Sequence, residues 1–269
     1  MVRPMIIDSL MIERAKQAAR REGADVDHLP DTPEGIAEHL AKRDAQTVAK
    51  SLEEIADKKA RYYFDNSLWS GDVELKFTFS DWKTDSQQNA EEAKRLGNQA
   101  FSIAKQLTQE DFNVALLGQA GVGKTSLALA IMYALQEKGK SVIFVSTMEL
   151  LKLLQNKYDF PELARKIEDV KRSMVEADVV VLDDLGTEAG KKDGNVRSVH
   201  KDLQDFLYQI ANARVDFANN QSRGSMIITS NNKGTELVRM YDPKLIDRIF
   251  TKNPEHQLSF ENMKGVRNV

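Results

Sequence analysis

The chain contains no cysteine, which removes disulfides, thiolate zinc sites and cysteine nucleophiles together and fits a reducing compartment. No apolar run approaches the ~20 residues a helix needs to span a bilayer. The opening stretch, MVRPMIIDSLMIERAK, carries acidic side chains among its apolar ones and does not read as a signal peptide. Neither sign of charge dominates: 38 Lys and Arg against 41 Asp and Glu leave −3. No global basic field therefore points to nucleic acid, and any DNA contact must come from a local stripe. Internal repeats and low-complexity tracts are absent too. What is there, 41% hydrophobic and 29% charged over 269 residues, suits a soluble globular protein with one α/β domain and a smaller appendage.

The most informative stretch is Gly118-Gln119-Ala120-Gly121-Val122-Gly123-Lys124-Thr125, a G-x-x-x-x-G-K-[ST] phosphate loop. Asn113–Leu117 before it reads as a short buried strand, and the run from Ser126 to Leu135 after it is strongly helical. Strand, loop and helix in that order are the context the motif requires. The glycines let backbone N–H groups turn toward phosphate oxygens, and the helix dipole adds positive charge at the same spot. Lys124 is expected to reach the β- and γ-phosphates of ATP or the β-phosphate of ADP, and the Thr125 hydroxyl to ligate Mg²⁺.

Around this loop the pattern divides. Met5, Ile6, Leu10, Met11, Ile12 and Ala15 recur at helical spacing, and Gly23 is a plausible stop. Asp31-Thr32-Pro33-Glu34 supplies a cap candidate and a proline suited to a first helical position. A long charged helical pattern follows to about Phe64, with Leu40, Val48, Leu52 and Ile55 as candidate apolar-face positions. Residues 66–88 interrupt it with Gly71, a strand-like Val73–Phe79 and the polar run Thr84–Asn89. The expected organisation is a helical partner-binding module at 1–66 (or, as the alternative, an appendage packed on the core), a linker at 67–89 and a nucleotide-binding domain at 90–269. Within the latter, strands at 141–145, 179–182 and 226–229 alternate with helices at 148–177 and 196–213, which predicts a parallel sheet covered on both faces.

Val179–Leu182 delivers Asp183 and Asp184 at the carboxyl end of a strand, where ligands sit in a doubly wound sheet. Asp183 is expected to orient Mg²⁺ and Asp184 to polarise a water for attack on the γ-phosphate. An Asp-Asp-Leu-Gly turn with no chemistry is the bland alternative. A later strand ends in Thr229-Ser230-Asn231-Asn232, and either Ser230 or Asn231 could bond the γ-phosphate or the attacking water. Asn231 is taken as the working assignment.

Taken together, GQAGVGKTSLA (through Ser126), VVVLDDLGTE, Ile227–Asn231, Leu245-Ile246-Asp247-Arg248-Ile249 and the entry Phe77-Thr78-Phe79-Ser80-Asp81-Trp82 resemble the DnaC/DnaI-type helicase loaders. That is a clade of AAA+ ATPases that also includes the IstB transposition helpers. The resemblance covers roughly 77–269. It implies an AAA+ α/β domain preceded by a small all-helical one, Mg²⁺-dependent ATP hydrolysis, and self-association through ATP-bridged interfaces. It further implies a hexameric replicative helicase as partner of the N-terminal helices, single-stranded DNA as ligand, and a cytoplasmic bacterial or phage-infected setting. Arg248 falls at the arginine-finger position, with Arg239 as fallback, and Arg267 at the sensor-2 position. Two features qualify the likeness. DnaI-type members carry a zinc-binding N-terminal domain, which a chain with no cysteine and four histidines cannot copy. The residues after Asn231 are also too few for the helical lid of most AAA+ proteins, a truncation the family shares.

For DNA, Lys152, Lys157, Arg165, Lys166, Lys171 and Arg172 interleave with Tyr158 and Phe160, the mixture single strands need. The acids Asp159, Glu162, Glu168 and Asp169 among them suit an ordinary solvated helix equally well. Lys191–Asn195 is a second, weaker candidate loop. The leading function is an ATP-dependent loader of a replicative helicase, with an IstB-like helper of a transposase as the same-fold alternative. A metabolic P-loop kinase would need a lid with basic residues and an acceptor site, whereas the adjacent Asp183-Asp184 and the late arginines favour hydrolysis. A vestigial nucleotide site would have no reason to retain Lys124, Thr125, Asp183, Asp184 and Arg248 together.

Overall fold

The computed structural model describes residues 8–265 apart from 158, 190, 193, 194, 197 and 220. It divides into two compact units, Met1–Lys58 and Lys59–Val269.

In the first unit, α1 (Ser9–Arg21) starts where the Asp8 carboxylate accepts from Met11 N at 2.8 Å. It ends at Gly23, whose φ of +83° suits a residue without Cβ. The next helix, α2 (Pro33–Asp65), opens with proline at its first position and the Thr32 hydroxyl accepting from Gly35 N at 3.1 Å. Among the described residues of this unit only Ile12, Lys16 and Val26 are buried. The Lys16 ammonium bonds Asp31 at 2.6 Å and the Leu29 carbonyl. Leu40, Val48, Leu52 and Ile55, expected on an apolar face, are 40%, 58%, 61% and 51% exposed. Periodicity marked the stripe but could not supply anything for it to pack against.

The second unit takes in the last turns of α2 and then α3 (Ala90–Gln106), β1 (Val114–Leu117), α4 (Lys124–Gln136), β2 (Val142–Ser146), α5 (Thr147–Asn156) and α6 (Leu163–Glu176). It continues with β3 (Val179–Asp183), the short pair β4 (Lys191–Lys192) and β5 (Asn195–Val196), α7 (Lys201–Ala213), and a second short pair, β6 (Val215–Asp216) and β7 (Gln221–Ser222). It closes with β8 (Ser225–Ser230), α8 (Gly234–Met240), α9 (Pro243–Ile249) and β9 (Gln257–Ser259). The main sheet runs β2-β3-β8-β1-β9, every pair parallel.

Alternation along each strand builds the layers. Val179 and Val181 of β3 join Val114, Leu116, Phe144 and Ile227 beneath α3 and α4. Val180 and Leu182 join Ile143, Val145, Met226 and Ile228 against α5, α6, α7 and α9. Both faces are covered, so these strands read as unbroken apolar runs. On α3, Ala93, Leu96, Ala100, Ile103 and Ala104 form the buried stripe at helical spacing.

Several details depart from the sequence reading. Segment 67–89, expected as a linker, lies within the second unit and packs on its sheet. Leu68 N donates to Phe144 O at 2.8 Å, Ser146 N donates to Leu68 O at 2.9 Å, and Trp69 stacks on Phe144 at 4.4 Å between ring centres. The strand-like Val73–Phe79 forms no strand, because hydrophobic alternation supplies no ladder partner; Val73 is 62% exposed. The helix expected from 196 begins at Lys201, after the β4–β5 pair.

Candidate functional site

β1 carries the chain to the carboxyl edge of the sheet, where Gly118 N still bonds Ser230 O of β8 at 3.2 Å. The loop then curls through Gly121 (φ +81°) and Gly123 (φ +97°), conformations that L side chains rarely adopt. At Gly123 a Cβ would also stand 2.7 Å from the Trp82 ring, so the indole lies directly over the loop. Val122 anchors the loop in the core, while Gln119 and Ala120 are exposed and Ser126 is half-buried in the first turn of α4.

Lys124 is buried, its ammonium bonding Gln119 O at 2.8 Å and Asn231 Oδ1 at 2.7 Å. One residue on, the Thr125 hydroxyl donates to Asp183 Oδ1 at 2.9 Å. Thr229, on the strand beside β3, donates to that same oxygen at 2.6 Å and accepts from Asp184 N at 2.9 Å. Burial raises the Asp183 carboxyl above its ordinary value; the Thr229 bond opposes the rise and the neighbouring Asp184 charge adds to it. Ser230 is turned away, donating to Leu185 O at 2.6 Å. Of the two residues left open by spacing, Asn231 is therefore the one beside Lys124.

One carboxylate and one hydroxyl on a shared edge are hard oxygen donors of the kind Mg²⁺ accepts when nucleotide and water complete its shell. Among the described residues no group of three or more His, Cys, Asp or Glu side chains could hold a metal alone. The donor set thus fits a cation that arrives with a phosphate.

The model of the IstB-like ATP binding protein family matches residues 47–252. The chain belongs to that family. The uncharacterized protein YdaV of Escherichia coli (strain K12) is 33% identical over 117 residues, 44% of this chain and 42% of that protein. The replicative helicase loader DnaC of the same strain is 25% identical over 154 residues, 56% of each chain. The chain thus spans about half the length of these curated relatives. A solved structure, that of the DnaI, is 20% identical with a TM-score of 0.52, covering 74% of this chain and 96% of that one. The likeness is one of fold, and the core of this IstB-family protein is an AAA+ P-loop domain following an N-terminal helical region.

The expected late arginine of the IstB-family chain lies elsewhere in the domain. Asn113 Nδ2 donates to Arg248 O at 2.9 Å, which sets Arg248 at the amino end of β1, while the P-loop leaves the carboxyl end. A four-residue strand separates them, about 13 Å. The guanidinium rests over the Tyr208 ring at 4.9 Å, with Phe217 at 5.8 Å, and donates to Lys244 O at 2.9 Å. Arg248 and Lys124 of one chain are therefore not brought together. Arg239 sits in the last turn of α8. Arg267 lies outside the described residues; Gly265 before it rests against Ala120 and Gly121.

The candidate DNA segment is partly neutralised by acids that lie outside it. Lys152 pairs with Glu149 at 2.9 Å, Arg172 with Glu176 at 3.0 Å and Lys157 with Asp202 at 3.6 Å. Arg165, Lys166 and Phe160 face solvent, and Tyr158 lies outside the described residues. Lys191 and Lys192, expected in a loop, form β4.

Sequence reasoning missed Thr229, Glu188 and Trp82. Thr229 was within reach: aligning β3 with β8 sets it level with Asp183. Glu188 is marked by no local motif; beyond Gly186, its side-chain partners come from α5 and from the residue after α8.

Proposed function

We propose that the protein is an ATP-dependent loader that binds a replicative DNA helicase through its N-terminal helices and deposits it on single-stranded DNA. The observation that carries this reading is the separation of Arg248 from its own phosphate loop. A site with the lysine, threonine, two aspartates and asparagine on one edge, and the arginine on the far side, is complete only when a second copy supplies that cation. ATP then bridges subunits, as a loader that assembles on DNA requires.

In this reading Lys124 and the loop N–H groups hold the β- and γ-phosphates, and Thr125 with Asp183 holds Mg²⁺. The metal, when bound, neutralises charge on the phosphate oxygens. Asp184 orients the attacking water and takes its proton, while Asn231 bonds that water or the γ-phosphate. Arg248 of a neighbour stabilises transition-state charge, and loss of the γ-phosphate releases it, an order–disorder switch. Exposed Leu40, Val48, Leu52 and Ile55 supply an apolar stripe for the helicase contact.

The test is co-sedimentation with a purified hexameric helicase, using the full chain and residues 59–269, which keep the compact second unit. Binding by the full chain alone, with ATP-dependent transfer of the helicase to single-stranded DNA, is expected. Failure to bind any replicative helicase, with capture of a transposase instead, would favour the IstB-like reading that the family match also supports.

A further inference from the structure

Asp184 is one of two described non-glycine residues with positive φ, at +58°. Such a backbone costs on the order of 1–2 kcal/mol and persists only where its surroundings impose it. Its N–H is held by Thr229. Its carbonyl accepts from Thr187 N at 3.1 Å and lies 3.0 Å from the Thr147 hydroxyl, the first residue of α5. That hydroxyl is also 3.0 Å from Glu188 Oε2 and 3.2 Å from Asp183 O. Glu188 Oε2 accepts from Gly186 N at 3.0 Å, and Glu188 Oε1 accepts from the buried Tyr241 hydroxyl. Tyr241 OH also lies 3.1 Å from Gly186 N.

Hydrogens decide how these contacts are satisfied. Thr147 has one hydroxyl hydrogen and three acceptors around it. With Glu188 ionised, that hydrogen is drawn to the carboxylate and the Asp184 carbonyl loses it. With Glu188 neutral, the carboxylic O–H donates to Thr147 Oγ1, and the threonine is free to donate to Asp184 O. Tyr241 then donates to the other carboxyl oxygen, and Gly186 N–H to Tyr241. The carboxylic O–H, the Thr147 and Tyr241 hydroxyls and the Gly186 N–H then each have a partner. Burial pushes the Glu188 carboxyl up to about 7, the Asp184 charge adding to the rise, which suits the neutral form.

We propose that Glu188, acting through Thr147 and Tyr241, is the positioning residue that holds the Asp184 turn in its hydrolytic geometry. The inference rests on the ATPase reading above and adds a residue to it. It also joins that turn to the start of α9, because Tyr241 directly precedes Asp242, the cap of the helix that carries Arg248.

The test compares wild type, Glu188→Ala, Glu188→Gln, Thr147→Val and Tyr241→Phe by three measurements. These are ATP affinity, steady-state hydrolysis with single-stranded DNA, and amide exchange of residues 184–187. Glu188→Ala and Thr147→Val should lower kcat about tenfold or more with ATP affinity within about threefold, since misplacing one group costs chemistry before binding. Exchange at 184–187 should rise about tenfold. Glu188→Gln reproduces the neutral acid, with its amide donating to Thr147 and its carbonyl accepting from Tyr241, and should stay within about threefold of wild type. Tyr241→Phe keeps the ring and guards against a misfolded alanine variant; its kcat should fall between the two. Unchanged kcat in both Glu188→Ala and Tyr241→Phe overturns the proposal, as does a glutamine variant no better than alanine. A wild type that hydrolyses no ATP removes the parent reading and this one together. An active wild type with indifferent variants removes this one alone.

Discussion

The Thr229 hydroxyl donates to Asp183 Oδ1 at 2.6 Å, on the same oxygen that Thr125 reaches at 2.9 Å. Two strands and the P-loop helix thus converge on one carboxylate oxygen, and Thr229 also fixes the following residue by accepting from Asp184 N. Thr229→Val keeps the shape and removes both bonds. Losing a bond to a charged group costs about 1.5–3 kcal/mol, so ATP hydrolysis should fall at least tenfold by that measure. Turnover assays at saturating ATP read it; turnover equal to wild type would show that the hydroxyl is dispensable.

Lys124→Ala should abolish useful nucleotide binding. The ammonium bonds both the loop carbonyl at Gln119 and Asn231, so its removal leaves those oxygens unpartnered and the phosphates without their nearest charge. A loss of about 2–3 kcal/mol, roughly a hundredfold in affinity, is expected. Calorimetry with ATP and magnesium measures it directly.

Arg248→Ala should leave ATP affinity unchanged and lower hydrolysis by about two orders of magnitude or more, the range of a trans arginine. Asp184→Asn should be inactive for the opposite reason. Mixed together, each supplies the half the other lacks, so activity should return in part. No recovery in the mixture at concentrations where the chain self-associates would refute the trans assignment.

Glu188 makes stability depend on pH. Its carboxyl is pushed up to about 7 by burial, above an unfolded value near 4.3. The folded state therefore binds the proton more tightly. The stabilisation is complete below the unfolded value and is lost as pH rises through about 7. Glu188→Gln cannot ionise, so its melting temperature relative to wild type should climb between about pH 5 and 8. A difference that stays flat over that interval would contradict the environment described for the carboxyl.

Arg214 is buried with its guanidinium on the carbonyls of Met174, Val175, Ala177, Asp178 and Ser225, at 2.6–3.3 Å. Burial lowers its pKa to about 10, so it remains charged at neutral pH. It closes the end of α6 against β8, far from any chemistry. Arg214→Met should lose about 3 kcal/mol or more of stability by stranding those acceptors. Denaturant unfolding would reveal it as a lower midpoint.

Much of the site could be read from the chain because it is local. Gly118–Thr125 must be contiguous for its N–H groups to share a centre, and Asp183-Asp184 must end a strand to reach the same edge. The alternating helices and strands identified the parallel sheet for the same reason. The long-range relationships were not legible. Val73–Phe79 has a strand's pattern without a strand's partner among the described residues, and Leu40, Val48, Leu52 and Ile55 have a helix's stripe that stays exposed.

The sequence by itself determined that a phosphate loop would be built, because curled glycines, a lysine and a hydroxyl within eight residues need no distant help to make that shape. Only the tertiary structure decided which neighbours meet it. Thr229 reaches Asp183 through strand register, Glu188 finds Thr147 and Tyr241 through packing of three separate elements, and Arg248 is sent to the opposite end of β1. Hydrogen bonds and aromatic contacts act over a few ångströms, whatever the separation along the chain, so the fold alone chooses among residues that the sequence leaves far apart.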